Sequence, residues 1–223
     1  MQEWCIPEVS STFVYHIEDI LDLYAEEYLE AYPVVCFDES PYQLISETRT
    51  PIPATPGQPA REDHEYRREG TCNLFLHVEP LRGWRHVAVT AQRTAADFAE
   101  QMRALVDIHY PNATLITVVC DQLNTHTLAS LYTVFAPAEA RRLVEKLHLR
   151  HTPKHGSWLN MAECEFAVLH GQCLDRRIGS VTAVEQAIAA WQTARNDAKA
   201  MIRWQFTLAR ARKKLHRLYP SKS

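Results

Sequence analysis

The sequence predicts an α/β fold: a mixed sheet of about five strands with helices on its faces. Three observations carry that prediction. Two apolar runs of strand type, 34–37 and 115–120, each lead into an aspartate. Two further strand-like runs, 72–79 and 84–90, are joined by Pro80-Leu81-Arg82-Gly83, which reads as a hairpin turn. Helical periodicity fills the intervals before, between and after them.

The elements follow in chain order. In 12–31, Phe13, Ile17, Ile20, Tyr24 and Tyr28 recur at spacings of four, three, four and four, which makes one apolar stripe. Ser10 or Ser11 caps its start, and Pro33 breaks it. The run 34–37 ends at Asp38. Residues 46–70 are polar and contain Pro51, Pro53, Pro56, Gly57 and Pro59, so a long loop is expected. After the hairpin, 94–110 puts Phe98, Met102, Leu105 and Val106 on one helical face, with Thr94 as cap and Asp97 three residues on. The run 115–120 ends at Asp121. Helices are expected near 125–134 and from Pro137, with Glu139 in the first turn of the second, and 148–152 is short and extended. A helix over 158–174 carries Leu159, Ala162, Phe166 and Leu169 on one face. Helices over 182–195 and about 197–217 close the chain, with little more than Asn196 between them. The expected division is a helical lead-in at 1–33, a core at 34–180, and C-terminal helices with a basic face at 181–223.

Composition excludes several classes. At 223 residues, 46% hydrophobic and 23% charged, the chain can bury a sizeable core and is neither collagenous nor wholly disordered. No run of about 18 apolar residues predicts a membrane span, and the first residues do not read as a secretory signal. A cytoplasmic location is expected. The six cysteines, at 5, 36, 72, 120, 164 and 173, show no CxxC spacing and read as reduced thiols rather than a zinc site. The net charge of −3 hides an asymmetry. Residues 15–40 carry eight acids and no Lys or Arg, whereas 203–217 carry only basic charge. Arg203, Arg210, Lys213, Lys214 and Arg217 are the candidate phosphate track.

The chemistry lies in the two aspartates. If their strands are adjacent and parallel, Asp38 and Asp121 share the carboxyl edge of the sheet, where open α/β sheets bind ligands. A two-metal site needs a third carboxylate, since Mg²⁺ takes oxygen ligands. The helix at 158–174 offers Glu163 and Glu165, which two-residue spacing sends to different faces. Glu163 flanks the apolar stripe and is the candidate; Glu165 is expected to face outward.

The segments CFDES (36–40), VVCDQLNTH (118–126) and HTPKHGSWLNMAECEF (151–166) resemble the three catalytic motifs of mariner-superfamily DDE transposases, in the bacterial insertion-sequence branch. The third is the most specific, through His155, Ser157, Trp158, Leu159, Asn160 and Glu163. The resemblance spans roughly 4–218. It implies a ribonuclease-H-like fold and a two-metal site for Mg²⁺ or Mn²⁺ on Asp38, Asp121 and Glu163. It also implies cleavage and strand transfer at transposon ends, DNA ends and target as partners, a homodimer on DNA, and association with a bacterial nucleoid. Asn124, His126, His155 and Asn160 are expected to support the site. Asn124 also has an ordinary reading as a turn residue, and His126 and His155 as hydrogen-bonded structural residues.

Two departures stand out. Gln122 replaces a frequent Asn, and Asp121 lies 42 positions before Glu163, a long interval taken up by the helix from Pro137. The chain begins at WCIPE, where the family's helix-turn-helix module has already ended, so that module is expected to be absent. The alternative from another class is a catalytically silent DNA-binding or assembly module. A general ribonuclease-H-like nuclease shares the chemistry but not the HGSWLN segment.

Overall fold

The structure is a computed structural model and describes residues 10–61 and 63–219. Five strands form one mixed sheet: β1 (Val34–Glu47), β2 (Tyr66–Glu79), β3 (Trp84–Thr90), β4 (Ile116–Cys120) and β5 (Leu147–His151), in spatial order β3-β2-β1-β4-β5. The first three form an antiparallel meander, while β4 and β5 join β1 in parallel.

Strand alternation sorts the core into two layers. Cys36, Leu74, Leu76, Val78 and Val119 face one side. There they meet α1 (Ser11–Leu23), α5 (Met161–Leu169), α6 (Val181–Asp197) and Ala211 of α7 (Leu208–Lys214). Val35, Phe37, Phe75, Val118 and Cys120 face the other. That side is covered by α2 (Ala95–Ala104), α3 (Ala129–Val134) and α4 (Pro137–Val144). The caps behave as the sequence predicts. Ser10 accepts the Phe13 N–H, and Thr94 and Asp97 form a reciprocal capping box. Cys36, Cys72 and Cys120 are free and buried; Cys5 lies outside the described residues.

Four expectations are corrected. Helix α1 stops at Leu23, not near 31, because the chain turns toward the sheet: Ala31 already accepts the N–H of Thr114, and Tyr28 is left exposed. Strand β1 does not end at Asp38 but runs on to Glu47, paired with a β2 that starts at Tyr66. The expected 46–70 loop is therefore shorter, since its polar flanks pair as a two-stranded ribbon. The expected helix over 197–217 survives only as Leu208–Lys214. Residues 200–206 instead run extended across the β2–β3 turn, where the Ile202 N–H donates to Pro80 O and Trp204 meets Tyr24 edge-on. Gly83 sits so close to the Lys199 carbonyl that a Cβ would lie 2.5 Å from it. The alternation of Ile202, Trp204 and Phe206 with exposed Met201, Arg203 and Gln205 is a period-two signal that the helical reading passed over.

The fourth correction concerns Glu165. It is 1% exposed, not outward-facing. Its Oε1 accepts from Arg85 Nε at 2.9 Å and Arg195 Nε at 2.7 Å. Arg85, itself fully buried, also donates to the carbonyls of Gly83 and Arg195. Residue 165 lies on the stripe formed by Met161, Ala162, Phe166 and Leu169, so burial follows from its position. Its partners are 80 and 30 residues away in sequence, which is why a charged residue there reads as solvent-facing.

Candidate active site

The parallel ladder between β1 and β4 brings the two aspartates together. Its last pairs are Val35 with Val118 and Cys36 with Val119. Asp38 and Asp121 each stand two residues beyond that final pair, at one level on neighbouring strands. Alternation turns both toward the layer that holds α5.

Asn160 sets the position of α5. Its Oδ1 accepts the Ala162 N–H at 3.1 Å as the helix cap, while its Nδ2 donates to the Phe37 carbonyl at 2.8 Å. One buried side chain thus joins the start of α5 to β1 beside Asp38. Glu163, in the first turn, is exposed and close enough that its charge acts on Asp38.

The electrostatics of the three carboxylates differ. Burial first, and then the charges of Glu163, Glu39 and Asp121, push Asp38 up to about 7. Burial would also raise Asp121, but the hydrogen bond and charge of His126 outweigh it and hold Asp121 below the usual carboxylate range. Burial alone would lower His126. Hydrogen bonds and charge from Asp121 and Glu39 reverse that and push it up to about 9. His126 Nδ1 is 2.6 Å from Asp121 Oδ1, and Nε2 is 3.0 Å from Glu39 Oε2. The second contact is an ion pair off the line of an aligned hydrogen bond, so Oε2 has no hydrogen-bond partner.

The remaining candidates separate. Gln122 donates to the Thr152 carbonyl at 3.0 Å, so the amide replacing Asn still ties two loops together. Asn124 is exposed in the turn after Asp121. His155 is exposed with φ +63°, in the left-handed region. Trp158 is 43% exposed and meets Phe206 edge-on at 5.6 Å, so it is not a core residue. Arg203, Arg210, Lys213, Lys214 and Arg217 are all exposed, but Arg203 lies on the extended segment and only Arg210, Lys213 and Lys214 share α7. Glu39 was missed by the sequence reading. Its signal is the alternation of β1, which sends it to the opposite face from Asp38 and toward the histidine five residues after Asp121.

A family description matches residues 33–185, which covers all three carboxylates. The chain belongs to the DDE superfamily endonucleases. Solved structures with the same fold include a pre-cleavage Mos1 transpososome. It has 16% identity and a TM-score of 0.62, over 100% of this chain and 68% of that one. The Mos1 mariner paired end complex with Mn has 16% identity and a TM-score of 0.59, over 90% of this chain. The complex with Mg has 20% identity and a TM-score of 0.53, over 94% of this chain and 65% of that one. The fold of this DDE endonuclease chain is thus ribonuclease-H-like. The chain spans about 60% of the length of the Mn-complex transposase. No match is found among curated proteins. Among the described residues, no helix is long and apolar enough to cross a membrane.

The donor chemistry suits a hard divalent ion. Asp38, Asp121 and Glu163 would offer carboxylate oxygens, and the negative charge that, after burial, raises Asp38 is what a cation relieves. Among the described residues, no three of His, Cys, Asp and Glu stand close enough to ligate one ion.

The raised pKa of Asp38 has a stability consequence. The unfolded carboxyl titrates near ~3.9, so between about pH 4 and 7 the folded chain holds the extra proton. Stability is therefore lost as pH rises through that window. Asp38→Asn keeps the Oδ1 that accepts the Glu39 N–H and removes the charge. Without metal, its melting temperature is expected to equal wild type near pH 4 and to exceed it at pH 8, by at most roughly 8–16 °C for the ~4 kcal/mol that about three pKa units represent. A pH-independent difference in thermal melts would overturn this account.

Proposed function

We propose that this chain is a transposase catalytic domain of the mariner superfamily, in the bacterial insertion-sequence branch, which cuts transposon ends and joins them to target DNA. Asp38, Asp121 and Glu163 are its catalytic carboxylates and metal ligands. The observation that carries the reading is the placement of Asp38 and Asp121 at one level of adjacent parallel strands, with Glu163 on the α5 turn that Asn160 pins to the same strand. When bound, a pair of Mg²⁺ or Mn²⁺ ions would activate a water or 3′-hydroxyl and stabilise the leaving oxygen at the scissile phosphate.

The chain's own residues do the positioning. Asp38 uses one oxygen on the Glu39 N–H, and Asp121 uses one on the Leu123 N–H and His126. Each keeps the other for a ligand. Glu163, exposed on a first turn, completes the set from the helix side. The exposed Arg210, Lys213 and Lys214 of α7, with Arg203 and Arg217 on the segments flanking it, contact phosphates without reading sequence, in keeping with a core domain (34–180) followed by a DNA-tracking C-terminal part (181–223). On this reading the chain works as a homodimer on DNA.

A metal titration tests the ligand set. A cation that binds only the native state raises the melting temperature. Mg²⁺ at about 100 times its dissociation constant is expected to add roughly 2.7 kcal/mol, some 5–10 °C for a domain of this size. Asp121→Asn is expected to lose that rise. Equal Mg²⁺ shifts in wild type and Asp121→Asn would place the ions elsewhere and remove the reading.

A further inference from the structure

We propose that Glu39 and His126 form a positioning pair that grips Oδ1 of Asp121 and leaves Oδ2 as its metal-facing oxygen. The proposal rests on the reading of Asp121 as a metal ligand.

Asp121 needs such a grip. It lies just past the end of β4, with its side chain 39% exposed, and the ladder to β1 has already ended. Its Oδ1 takes the Leu123 N–H at 3.1 Å and His126 Nδ1 at 2.6 Å. Among the described residues no hydrogen bond engages Oδ2. His126 cannot swing: its side chain is 1% exposed, stacked on the Phe98 ring at 5.1 Å and set edge-on to Phe37 at 5.3 Å. Its backbone carbonyl accepts from His151 Nε2 at 3.2 Å.

Glu39 supplies the other half. Its side chain is 5% exposed and stands 3.0 Å from His126 Nε2. A carboxylate thus stands at each ring nitrogen, with Asp121 hydrogen-bonded at Nδ1 and Glu39 in ion-pair contact at Nε2. Strand β1 therefore acts twice. One face presents Asp38, and the other reaches through Glu39 and His126 around the sheet edge to hold Asp121 on the neighbouring strand. The spacing of the two aspartates is set by side chains where the backbone ladder no longer sets it. Groups that hydrogen-bond a metal's ligands typically change metal affinity by roughly 10–100-fold when removed.

The test uses the full chain, with Mg²⁺ midpoints read from thermal shifts and folding checked by circular dichroism. Mg²⁺ prefers oxygen ligands, so added imidazole does not compete for it. His126→Ala is expected to fold, to need about 10–100-fold more Mg²⁺, and to recover most of that loss in imidazole, which leaves wild type unchanged. Glu39→Ala is expected to weaken Mg²⁺ binding too, and to add nothing on top of His126→Ala, because the two act as one unit. A folded His126→Ala with the wild-type midpoint overturns the proposal. If His126→Ala does not fold, a wild-type midpoint in Glu39→Ala overturns it. A wild-type chain without any Mg²⁺ response overturns the metal reading of Asp121 itself, and this pair with it.

Discussion

Glu163→Gln is expected to fold and bind DNA as wild type does, yet to nick duplex DNA carrying the element's end about a thousandfold more slowly in Mg²⁺ or Mn²⁺. Metal-held charge stabilisation at a phosphoryl centre is worth several kcal/mol, and about 4 kcal/mol corresponds to roughly 10³ in rate. The substitution is nearly isosteric and the side chain is exposed, so the fold has no reason to notice it. Binding should hold or tighten, since a negative charge beside the phosphates is gone. The measurement pairs single-turnover nicking with a binding isotherm at one salt concentration. A Glu163→Gln chain that nicks at the native rate removes Glu163 from the triad. A wild-type chain that folds, takes up metal and binds those ends, but never nicks them, replaces the enzyme with the silent DNA-binding module.

The carboxylate two residues further on should behave in the opposite way. Glu165→Gln is expected to lower stability by about 3–5 kcal/mol, because it leaves the buried guanidinium of Arg85 and the half-buried one of Arg195 facing a neutral amide. For a domain of this size that is a fall of roughly 6–20 °C in melting temperature. It is also a large share of the ~5–15 kcal/mol that typically holds a domain folded. The loss should appear in urea melts with or without Mg²⁺. Below its own melting range the variant should still respond to Mg²⁺, since Glu165 binds Arg85 and Arg195 rather than facing Asp38. Wild-type stability in Glu165→Gln, together with a lost Mg²⁺ response, would exchange the roles of the two glutamates.

These two positions also mark where local sequence information stops. The apolar runs before Asp38 and Asp121, the hairpin at Pro80–Gly83, the Thr94 cap and the stripe of α5 were all readable, because each depends on residues within a few positions of one another. The order of those elements sufficed for a mixed sheet with helices on both faces, and for two aspartates at its carboxyl edge. Periodicity alone could not rank Glu163 against Glu165 correctly on burial. A buried glutamate is tolerable only when cations meet it, and Arg85 comes from β3 while Arg195 comes from the end of α6. The same limit applies to Glu39. The alternation of β1 sends residue 39 to the face opposite Asp38, but that His126 stands 3.0 Å from it is decided by the parallel pairing of β1 with β4 and the packing of Phe37 and Phe98. The sequence by itself determined the strand runs, the caps and the residue types of the site. Tertiary structure decided which charges are paired, where β1 and the last helix end, and which oxygens of Asp38 and Asp121 stay free, because those outcomes depend on contacts between residues distant along the chain.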